Sequence, residues 1–203
     1  MLVETKPQTA YTIQTGSPDD IARAADILLM AFADDPAVRW MYPDLNQYLQ
    51  CFPQFVEVFA GRALMHHGAF FTGEYPGVAL WFPPRIGLDE QAVEAVLART
   101  VAPERLTTME QVFEQMDRYH PTQPHWYLPL TGVTRLYRGQ GLGSALLEHT
   151  LSICDRDGLP AYLEATSPRN AALYQRHGFE PIGQIQVGDF PTLSPMLRQP
   201  AGG

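Results

Sequence analysis

The sequence predicts a mixed α/β fold, in which a central sheet of about six to seven strands carries helices on both faces. Its 203 residues, 45% hydrophobic and 18% charged, suffice for one domain with a buried core. Short strand-like runs alternate with longer stretches of helical periodicity. Towards the C-terminus the order is strand, helix, strand, helix, which favours a parallel pair of strands inside a mixed sheet. We therefore expect a single domain over residues 1–203, preceded by a loose tail at about 1–10.

The N-terminal half begins with a short predicted strand, Tyr11 to Gln14. Ser17 and Pro18 then supply an N-cap and a first-turn proline, and apolar residues at helical spacing predict a helix to about Asp34, ended by the Asp35-Pro36 pair. The remaining elements predicted before residue 120 are helices at 45–64, 89–99 and 104–119 and strands at 69–72 and 78–82, with a turn at 73–77 between the strands.

The C-terminal part follows a clearer pattern. A strand over 126–133 leads to a helix over 141–157, which Gly158 ends, and a strand over 161–165 follows. Ser167 and Pro168 begin another helix, which stops at Gly178. Residues 182–187 and 192–197 are expected to form a closing pair of strands.

Composition excludes some classes of function. The formal net charge of -8 argues against general nucleic-acid binding, which needs a basic surface. The two cysteines, Cys51 and Cys154, form neither a disulfide framework nor a metal spacing, and His66-His67 does not form one either. No signal segment or membrane-spanning run is apparent, so we expect a cytoplasmic protein that holds no metal.

The most informative segment is YLPLTGVTRLYRGQGLGS, an apolar strand that runs into Gly139, Gly141 and Gly143. A helix follows, and its exposed N–H groups and positive dipole end favour an anion such as a diphosphate. Arg138 adds a fixed cation. A dinucleotide-binding loop is the rival interpretation, but only about 60 residues follow the motif, fewer than such a fold requires.

Two further features accompany this loop. Pro129 and Gly132 lie within the strand before it and predict a bulge, because proline cannot donate to a ladder and glycine is a weak strand former. Asn170 and Tyr174 lie four residues apart on the later helix, so they share one face. A solvent-facing Asn and a half-buried Tyr are the structural alternative.

Together these segments resemble the GNAT N-acetyltransferase superfamily. Its acyl-CoA loop, Q/R-x-x-G-x-G/A, matches Arg138 to Gly143, and its later helix matches Asn170, Tyr174 and Gly178-Phe179. The runs HWYLPLTGV, GQGLGSALL and GLPAYLEATSPRNAALYQRHGF are similar to the branch that includes puromycin N-acetyltransferase. The resemblance implies a sheet split between strands 4 and 5, an acyl-CoA-binding core at about 126–187, and acetyl-CoA as cosubstrate.

The resemblance also implies roles for individual residues. Tyr174 would be the general acid and Glu164 the candidate general base, although a structural strand-end acid is an equal alternative for Glu164. The implied cofactor-binding residues are Thr131, Gly132 and Val133 at the pantetheine arm, Arg138, Gly139, Gln140, Gly141, Leu142, Gly143 and Ser144 around the diphosphate, and Asn170 on the CoA arm. His120, His125 and His177 are interpreted as structural.

The acceptor is expected to be a small-molecule amine. Phe32, Trp40, Tyr42, Trp81 and Phe82 are candidates to line its pocket, with a buried core as the alternative. Asp34 and Asp35 could attract its ammonium group or be merely solvated. The chain would act without nucleic acid or membrane, and a homodimer stays open. Two other functions stay open as well: a non-catalytic acyl-CoA-binding regulatory module, and acetylation of protein N-termini or lysines.

Overall fold

The computed structural model describes residues 11–73 and 76–202. The predicted tail at 1–10 and two residues of the predicted turn at 73–77 lie outside this part of the chain. The described strands are β1 (Ile13–Thr15), β2 (Ala69–Thr72), β3 (Gly77–Phe82), β4 (Trp126–Val133), β5 (Ala161–Ala165), β6 (Glu180–Pro181) and β7 (Ser194–Arg198). The described helices are α1 (Ile21–Ala31), α2 (Pro36–Met41), α3 (Leu45–Ala60), α4 (Arg62–Met65), α5 (Glu90–Thr100), α6 (Pro103–Tyr119), α7 (Leu142–Asp157) and α8 (Pro168–Arg176).

All seven described strands join one mixed sheet in the order β1-β2-β3-β4-β5-β7-β6. Every neighbouring pair is antiparallel except β4 and β5, which are parallel. Their pairing is confined to Trp126 with Ala161 and Tyr127 with Tyr162. Beyond these two pairs the strands separate, so the predicted split between strands 4 and 5 is confirmed.

A β-bulge interrupts β4 at the start of this split. Leu80 pairs with Leu130 and Phe82 with Tyr127, so two residues of β4, Leu128 and Pro129, stand opposite one residue of β3. The predicted bulge is therefore confirmed. The added residue bends the strand and increases its local twist, which turns β4 away from β5.

Helices cover both faces of the sheet. On one face α1, α3, α5 and α6 pack over a cluster that includes Tyr127, Leu130 and Tyr162. On the other face α7 and α8 cover a cluster that includes Leu128 and Leu163. Alternate residues of a strand point to opposite faces, and the bulge at Leu128 and Pro129 shifts this alternation by one residue, so that Tyr127 and Leu130 share a face.

Two elements differ from the sequence-based expectation. Helix α1 ends at Ala31 with Phe32 as its C-cap, before the predicted end at about Asp34, and the Asp35-Pro36 pair instead begins α2, a helix that the sequence did not predict. The Asp35 carboxylate accepts hydrogen bonds from the N–H groups of Ala37 and Val38, each at 3.1 Å, and Pro36 occupies the first turn. In the structure this pair of residues is therefore a start signal for α2.

The predicted closing pair of strands is also shorter than expected. Residues 182–187 contribute one isolated bridge, from Ile185 to Leu193, while the two-residue strand β6, just before this segment, pairs with β7. Gly183, Gly188 and Pro191 lie in or beside this segment and disfavour a longer ladder, because glycine weakens a strand and proline cannot donate to it. Among the described residues, no helix is long and apolar enough to cross a bilayer.

Candidate functional site

A pocket opens where β4 and β5 separate. Its floor consists of residues 127–131 of β4 together with Glu164 of β5, and its near wall consists of Thr166, which precedes α8, and of Asn170 and Tyr174 on α8. The bulge places this stretch of β4 away from β5, so the pocket exists because the sheet is split. Asn170 and Tyr174 both line it, as their shared helical face predicts.

The far wall of the pocket is apolar. Helices α2, α3 and α6 and the segment before β7 supply it with Val38, Met41, Phe55, Phe59, Met109, Val112, Phe113, Met116, Phe190 and Leu193. Asp35 and Glu164 are the acidic residues among the described lining, which includes no lysine or arginine. This wall suits the body of an uncharged, apolar molecule.

Glu164 carries the least satisfied carboxylate of the pocket. The side chain is 5% exposed, and its Oε2 accepts a hydrogen bond from the Tyr127 hydroxyl at 3.0 Å. Its Oε1 has no hydrogen-bond partner among the described residues, although His120 Nε2 lies 3.7 Å away. Burial raises the pKa of Glu164 to about 7, because the ionised form loses its hydration. This carboxyl therefore gains or loses a proton near neutral pH.

Three aromatic rings surround Glu164. His120, at the end of α6, lies with its ring centroid 4.5 Å from those of both Tyr127 and Tyr162. Burial, with a smaller effect from His125, lowers the pKa of His120 to about 4, so its ring is neutral near pH 7. Burial raises the pKa of the Tyr127 hydroxyl well above its ordinary value, which keeps it a donor to Glu164.

Asp35 is the second carboxylate, and both of its oxygens are engaged. Oδ1 caps α2, and Oδ2 accepts a hydrogen bond from the Thr166 hydroxyl at 2.5 Å. The Asn170 side-chain amide donates to the same Thr166 hydroxyl at 3.4 Å. Burial raises the pKa of Asp35, opposed by these hydrogen bonds. The network ties the start of α2 to the start of α8.

Tyr174 is held in place by its own helix. The Ser167 hydroxyl caps α8 by accepting the N–H of Asn170 at 3.3 Å, and the Tyr174 ring packs edge-on against Phe179. The side chain is buried and lines the pocket. Burial, with a smaller contribution from Asp35, raises the pKa of the phenol above its ordinary value. Tyr174 therefore keeps its proton at neutral pH.

The glycine loop lies beyond the end of β4, next to the start of α7. Gly139 and Gly141 have φ values of 76° and 92°, a region that favours glycine. Within the part of the chain that the structure describes, no side chain caps α7, whose first N–H groups have no acceptor within the helix. Ala145 makes the first hydrogen bond back to Gly141, at 2.9 Å. Bare N–H groups at a helix start, with no Cβ at two loop positions, suit a phosphate group.

Several residues predicted to bind the cofactor also hold this region together. Arg138 donates from Nε to the Val133 carbonyl at 3.2 Å and from Nη2 to the Ala31 carbonyl, so it ties the loop to α1. Thr131 lines the pocket and donates its hydroxyl to the Val78 carbonyl at 3.0 Å. The Ser144 hydroxyl lies 3.0 Å from His177 Nε2, which joins the start of α7 to the end of α8.

Gly132 marks a close approach of α1 to β4. A Cβ there would lie 2.6 Å from that of Ala31, so the strand accepts only glycine at this point without movement. The predicted loop residues, including Gln140, Leu142 and Gly143, do not line the pocket of Glu164 and Tyr174. The two regions are linked through β4.

Of the five aromatic residues predicted to line the acceptor pocket, one lies in the pocket and four lie elsewhere. Phe32 lines the pocket, whereas Tyr42, Trp81 and Phe82 are fully buried in the core and Trp40 packs against Phe190. Asp34 lies at the surface near Arg135. Tyr127 and the methionines of α6 also line the pocket, and the sequence did not predict them. The period of two in β5 could have placed Tyr162 and Glu164 on one face, but nothing local brings α6 over that face.

Comparisons with known proteins agree with this architecture. Residues 113–181 match the family model of the acetyltransferase (GNAT) domain. The crystal structure of histone acetyltransferase HPA2 and related acetyltransferase from Corynebacterium glutamicum is 30% identical, covers 96% of this chain and 99% of its own, and superposes with a TM-score of 0.66. An uncharacterized N-acetyltransferase of Schizosaccharomyces pombe is 26% identical over 89% of this chain and 80% of its own length. Arylalkylamine N-acetyltransferase 2 of Aedes aegypti shares the fold, with a TM-score of 0.67 over 93% of this chain and 98% of its own, at 14% identity.

The split sheet, the glycine loop before α7 and the pocket at the split define an acyltransferase class of fold. Within that class, the chain belongs to the GNAT acetyltransferase family and is an N-acetyltransferase. Members of this family use acetyl-CoA.

Proposed function

We propose that this protein transfers the acetyl group of acetyl-CoA to the primary amine of a small apolar molecule, by direct attack in a ternary complex. The observation that carries the proposal is the pocket at the sheet split. Its lining includes a buried carboxyl with a pKa of about 7, Glu164, and a buried protonated phenol, Tyr174. A base and an acid on one pocket are what transfer from a thioester to an amine requires.

The shape and charge of the pocket support an apolar monoamine as acceptor. The wall formed by α2, α3 and α6 is apolar, while Asp35 and Glu164 contact the part of the pocket nearest β4, β5 and α8. One ammonium group can be paired at that end. A second charge in the apolar wall would lose its hydration without a partner, at a large cost in free energy.

Two carboxylates could serve as the base, and the hydrogen bonds favour Glu164. Asp35 accepts two backbone N–H groups and the Thr166 hydroxyl, so its lone pairs are engaged in holding α2 and α8. Glu164 keeps Oε1 without a hydrogen-bond partner among the described residues. An alkyl ammonium with a pKa of about 10 would give its proton to that oxygen, directly or through a water.

The remaining steps follow from the same residues. Acetyl-CoA supplies the acetyl group as a thioester, whose carbonyl carbon the neutral amine attacks. A backbone N–H of the β4 bulge would stabilise the charge on the carbonyl oxygen, and Pro129 cannot be that donor because it has no N–H. As the C–S bond breaks, Tyr174 would give its proton to the departing thiolate. This chemistry uses an acid and a base and needs no metal.

Acetyl-CoA fits the loop and the strand end. The first N–H groups of α7 and the N–H groups beside Gly139 and Gly141 would hold the diphosphate. Thr131, Gly132 and Val133 would lie along the pantetheine arm, and Asn170 would contact the same arm. Arg138 would act mainly by fixing the loop, since its guanidinium already donates to two carbonyls.

Finer expectations are part of the same proposal. We propose that residues 1–203 form one GNAT domain that works in the cytoplasm, and that its ancestry lies in the branch of puromycin N-acetyltransferase. Puromycin itself does not follow as the acceptor, because acceptor specificity diverges within a fold more readily than cofactor binding.

A thiol-release assay with acetyl-CoA and a panel of amines tests the proposal. We expect turnover with at least one arylalkyl or alkyl monoamine, intersecting double-reciprocal plots that indicate a ternary complex, and no acetylated enzyme by mass spectrometry. Parallel plots would contradict direct attack. CoA binding without turnover across the panel would indicate the regulatory module, and preferred acetylation of peptides would indicate a protein acetyltransferase.

A further inference from the structure

Tyr11 reaches the glycine loop from the far end of the chain. Its hydroxyl donates to the backbone carbonyl of Gln140 at 2.5 Å, across 129 positions of sequence. Its ring also lies below the loop, since a Cβ at Gly141 would come 3.6 Å from a Tyr11 ring carbon. Tyr11 thus contacts the loop through both its ring and its hydroxyl.

The backbone around Tyr11 is anchored to the sheet. The carbonyl of Thr12 accepts the N–H of Gly73 at 2.9 Å, and Ile13 pairs with Thr72 in the first strand pair. The tyrosine therefore extends from a fixed edge strand. It can transmit the position of that strand to the loop.

The bonded carbonyl controls the direction of the next N–H group. In a trans peptide the C=O of one residue and the N–H of the following residue point in opposite directions. Gln140 lies between Gly139 and Gly141, which have positive φ and allow the intervening peptide to rotate easily. When Tyr11 holds the Gln140 carbonyl, the N–H of Gly141 must point to the other side of the loop.

We propose that Tyr11 is a positioning residue, which orients the Gln140–Gly141 peptide so that its N–H faces the bound diphosphate and its carbonyl faces away. This inference rests on the proposed binding of acetyl-CoA at the loop. Without the hydroxyl, the peptide can rotate and present a carbonyl oxygen to an anion, which weakens binding of the diphosphate. The reacting end of the cosubstrate, at Glu164 and Tyr174, is unaffected.

The test compares Tyr11→Phe with the wild-type chain, tagged at the C-terminus, using two acetyl donors. Acetyl-CoA carries the diphosphate, and S-acetylpantetheine lacks it. We expect Tyr11→Phe to raise the KM for acetyl-CoA about 3- to 10-fold, the range that loss of one hydrogen bond produces. The kcat, the KM for the amine and the kcat/KM with S-acetylpantetheine should stay unchanged.

Tyr48→Phe is the matched control. The Tyr48 hydroxyl also donates to a backbone carbonyl, that of Leu29, but it lies in the core away from the loop. We expect this variant to lose stability while its KM for acetyl-CoA stays unchanged. Tyr11→Leu, which keeps apolar bulk below the loop, provides a second variant without the hydroxyl and should raise the same KM.

The outcomes separate the two proposals. An unchanged KM for acetyl-CoA in both Tyr11 variants would overturn the role of Tyr11 while leaving acetyl transfer intact. An equal fall in kcat/KM with S-acetylpantetheine would overturn the role of Tyr11 as well, since the effect would not depend on the diphosphate. A wild-type chain that neither binds nor uses acetyl-CoA would overturn the proposed function first.

Discussion

At the scale of single residues, burial raises the pKa of both ionisable side chains Glu164 and Tyr174, which line one pocket. Loss of hydration disfavours the charged form of each group, so the pKa of Glu164 rises to about 7 and that of the Tyr174 phenol rises above its ordinary value. Near pH 7 the carboxyl exchanges its proton while the phenol keeps its own. Such a separation is typical of an acid and base pair.

We predict that Glu164→Gln lowers kcat/KM by about 10²- to 10⁴-fold near pH 7.5, the usual contribution of a general base. The pH profile provides a sharper test. In the wild type, kcat/KM should fall below pH 7 as Glu164 is protonated, and stay level from about pH 7 towards the amine pKa of about 10, because the carboxylate accepts the proton of the ammonium. In the variant only free amine reacts, so kcat/KM should keep rising about tenfold per pH unit.

Glu114→Gln is the matched control for this change, since Glu114 is 68% exposed and pairs with Arg118 at the surface of α6. It should keep the wild-type profile. A Glu164→Gln variant with an unchanged profile and rate would instead assign the base to Asp35, or show that no base is needed.

Glu164→Gln, which we expect to lower activity, should raise the free energy of unfolding. The folded pKa of Glu164, about 7, lies above its ordinary value of 4.5, so the folded state holds this proton more tightly than the unfolded chain. The contribution of this group to the free energy of unfolding is therefore at its maximum below pH 4.5, and it is lost as the pH rises through 7. We predict that Glu164→Gln gains up to about 3 kcal/mol over the wild type between pH 4.5 and pH 8, measured by urea unfolding. A constant difference across this range would contradict it.

We predict that Tyr174→Phe lowers kcat by about 10- to 100-fold while CoA binding stays within about twofold, because a general acid acts only as the C–S bond breaks. Steady-state thiol release and calorimetric CoA binding measure the two quantities. An unchanged kcat would remove Tyr174 from the role of acid.

At the scale of elements, local signals in the sequence predicted most strands and helices. Pro129 predicted the bulge, Gly158 the end of α7, and Ser167 with Pro168 the start of α8. These signals act on the residues beside them. The sequence did not predict α2 or the short length of the closing strands. A proline or glycine in these segments is compatible with more than one backbone conformation, and tertiary packing selects one of them.

Gly141, the N-cap of α7, and Gly143, inside the helix, form a matched pair for testing the loop. Gly141 has a φ of 92°, so Gly141→Ala forces a side chain into a left-handed conformation and should lower the free energy of unfolding by about 1 to 2 kcal/mol. Gly143 is inside the helix, where a Cβ would meet Leu173 at 3.4 Å. Gly143→Ala should therefore change stability by less than about 1 kcal/mol, and in the stabilising direction where Leu173 yields. Equal losses in both variants, measured by thermal unfolding, would contradict the argument.

At the scale of the whole molecule, the halves of the chain contribute differently to the pocket. The C-terminal part supplies the glycine loop, Glu164, Asn170 and Tyr174, and its sequence motifs predicted these residues. The apolar wall comes from α2, α3 and α6, which touch the pocket only through long-range packing. The sequence therefore predicted correctly that Phe32 lines a pocket. It predicted the same of Tyr42, Trp81 and Phe82, which are core residues. Apolar side chains in a core and in a pocket look alike until the fold is known.

The apolar wall should determine which amines react. We predict that kcat/KM for 2-phenylethylamine exceeds that for ethylamine and for spermidine by at least about tenfold, because an aryl group gains on the order of 2 kcal/mol from burial and a second ammonium would lose its hydration. Phe113→Ala, which removes a ring from the α6 wall, should lower kcat/KM for 2-phenylethylamine several-fold and leave that for ethylamine unchanged. Leu106→Ala is the control, since Leu106 packs on the same helix outside the pocket lining. Equal losses for both amines in Phe113→Ala would mean that the acceptor binds elsewhere, and a preference for spermidine would mean that acids outside the described pocket recognise the amine.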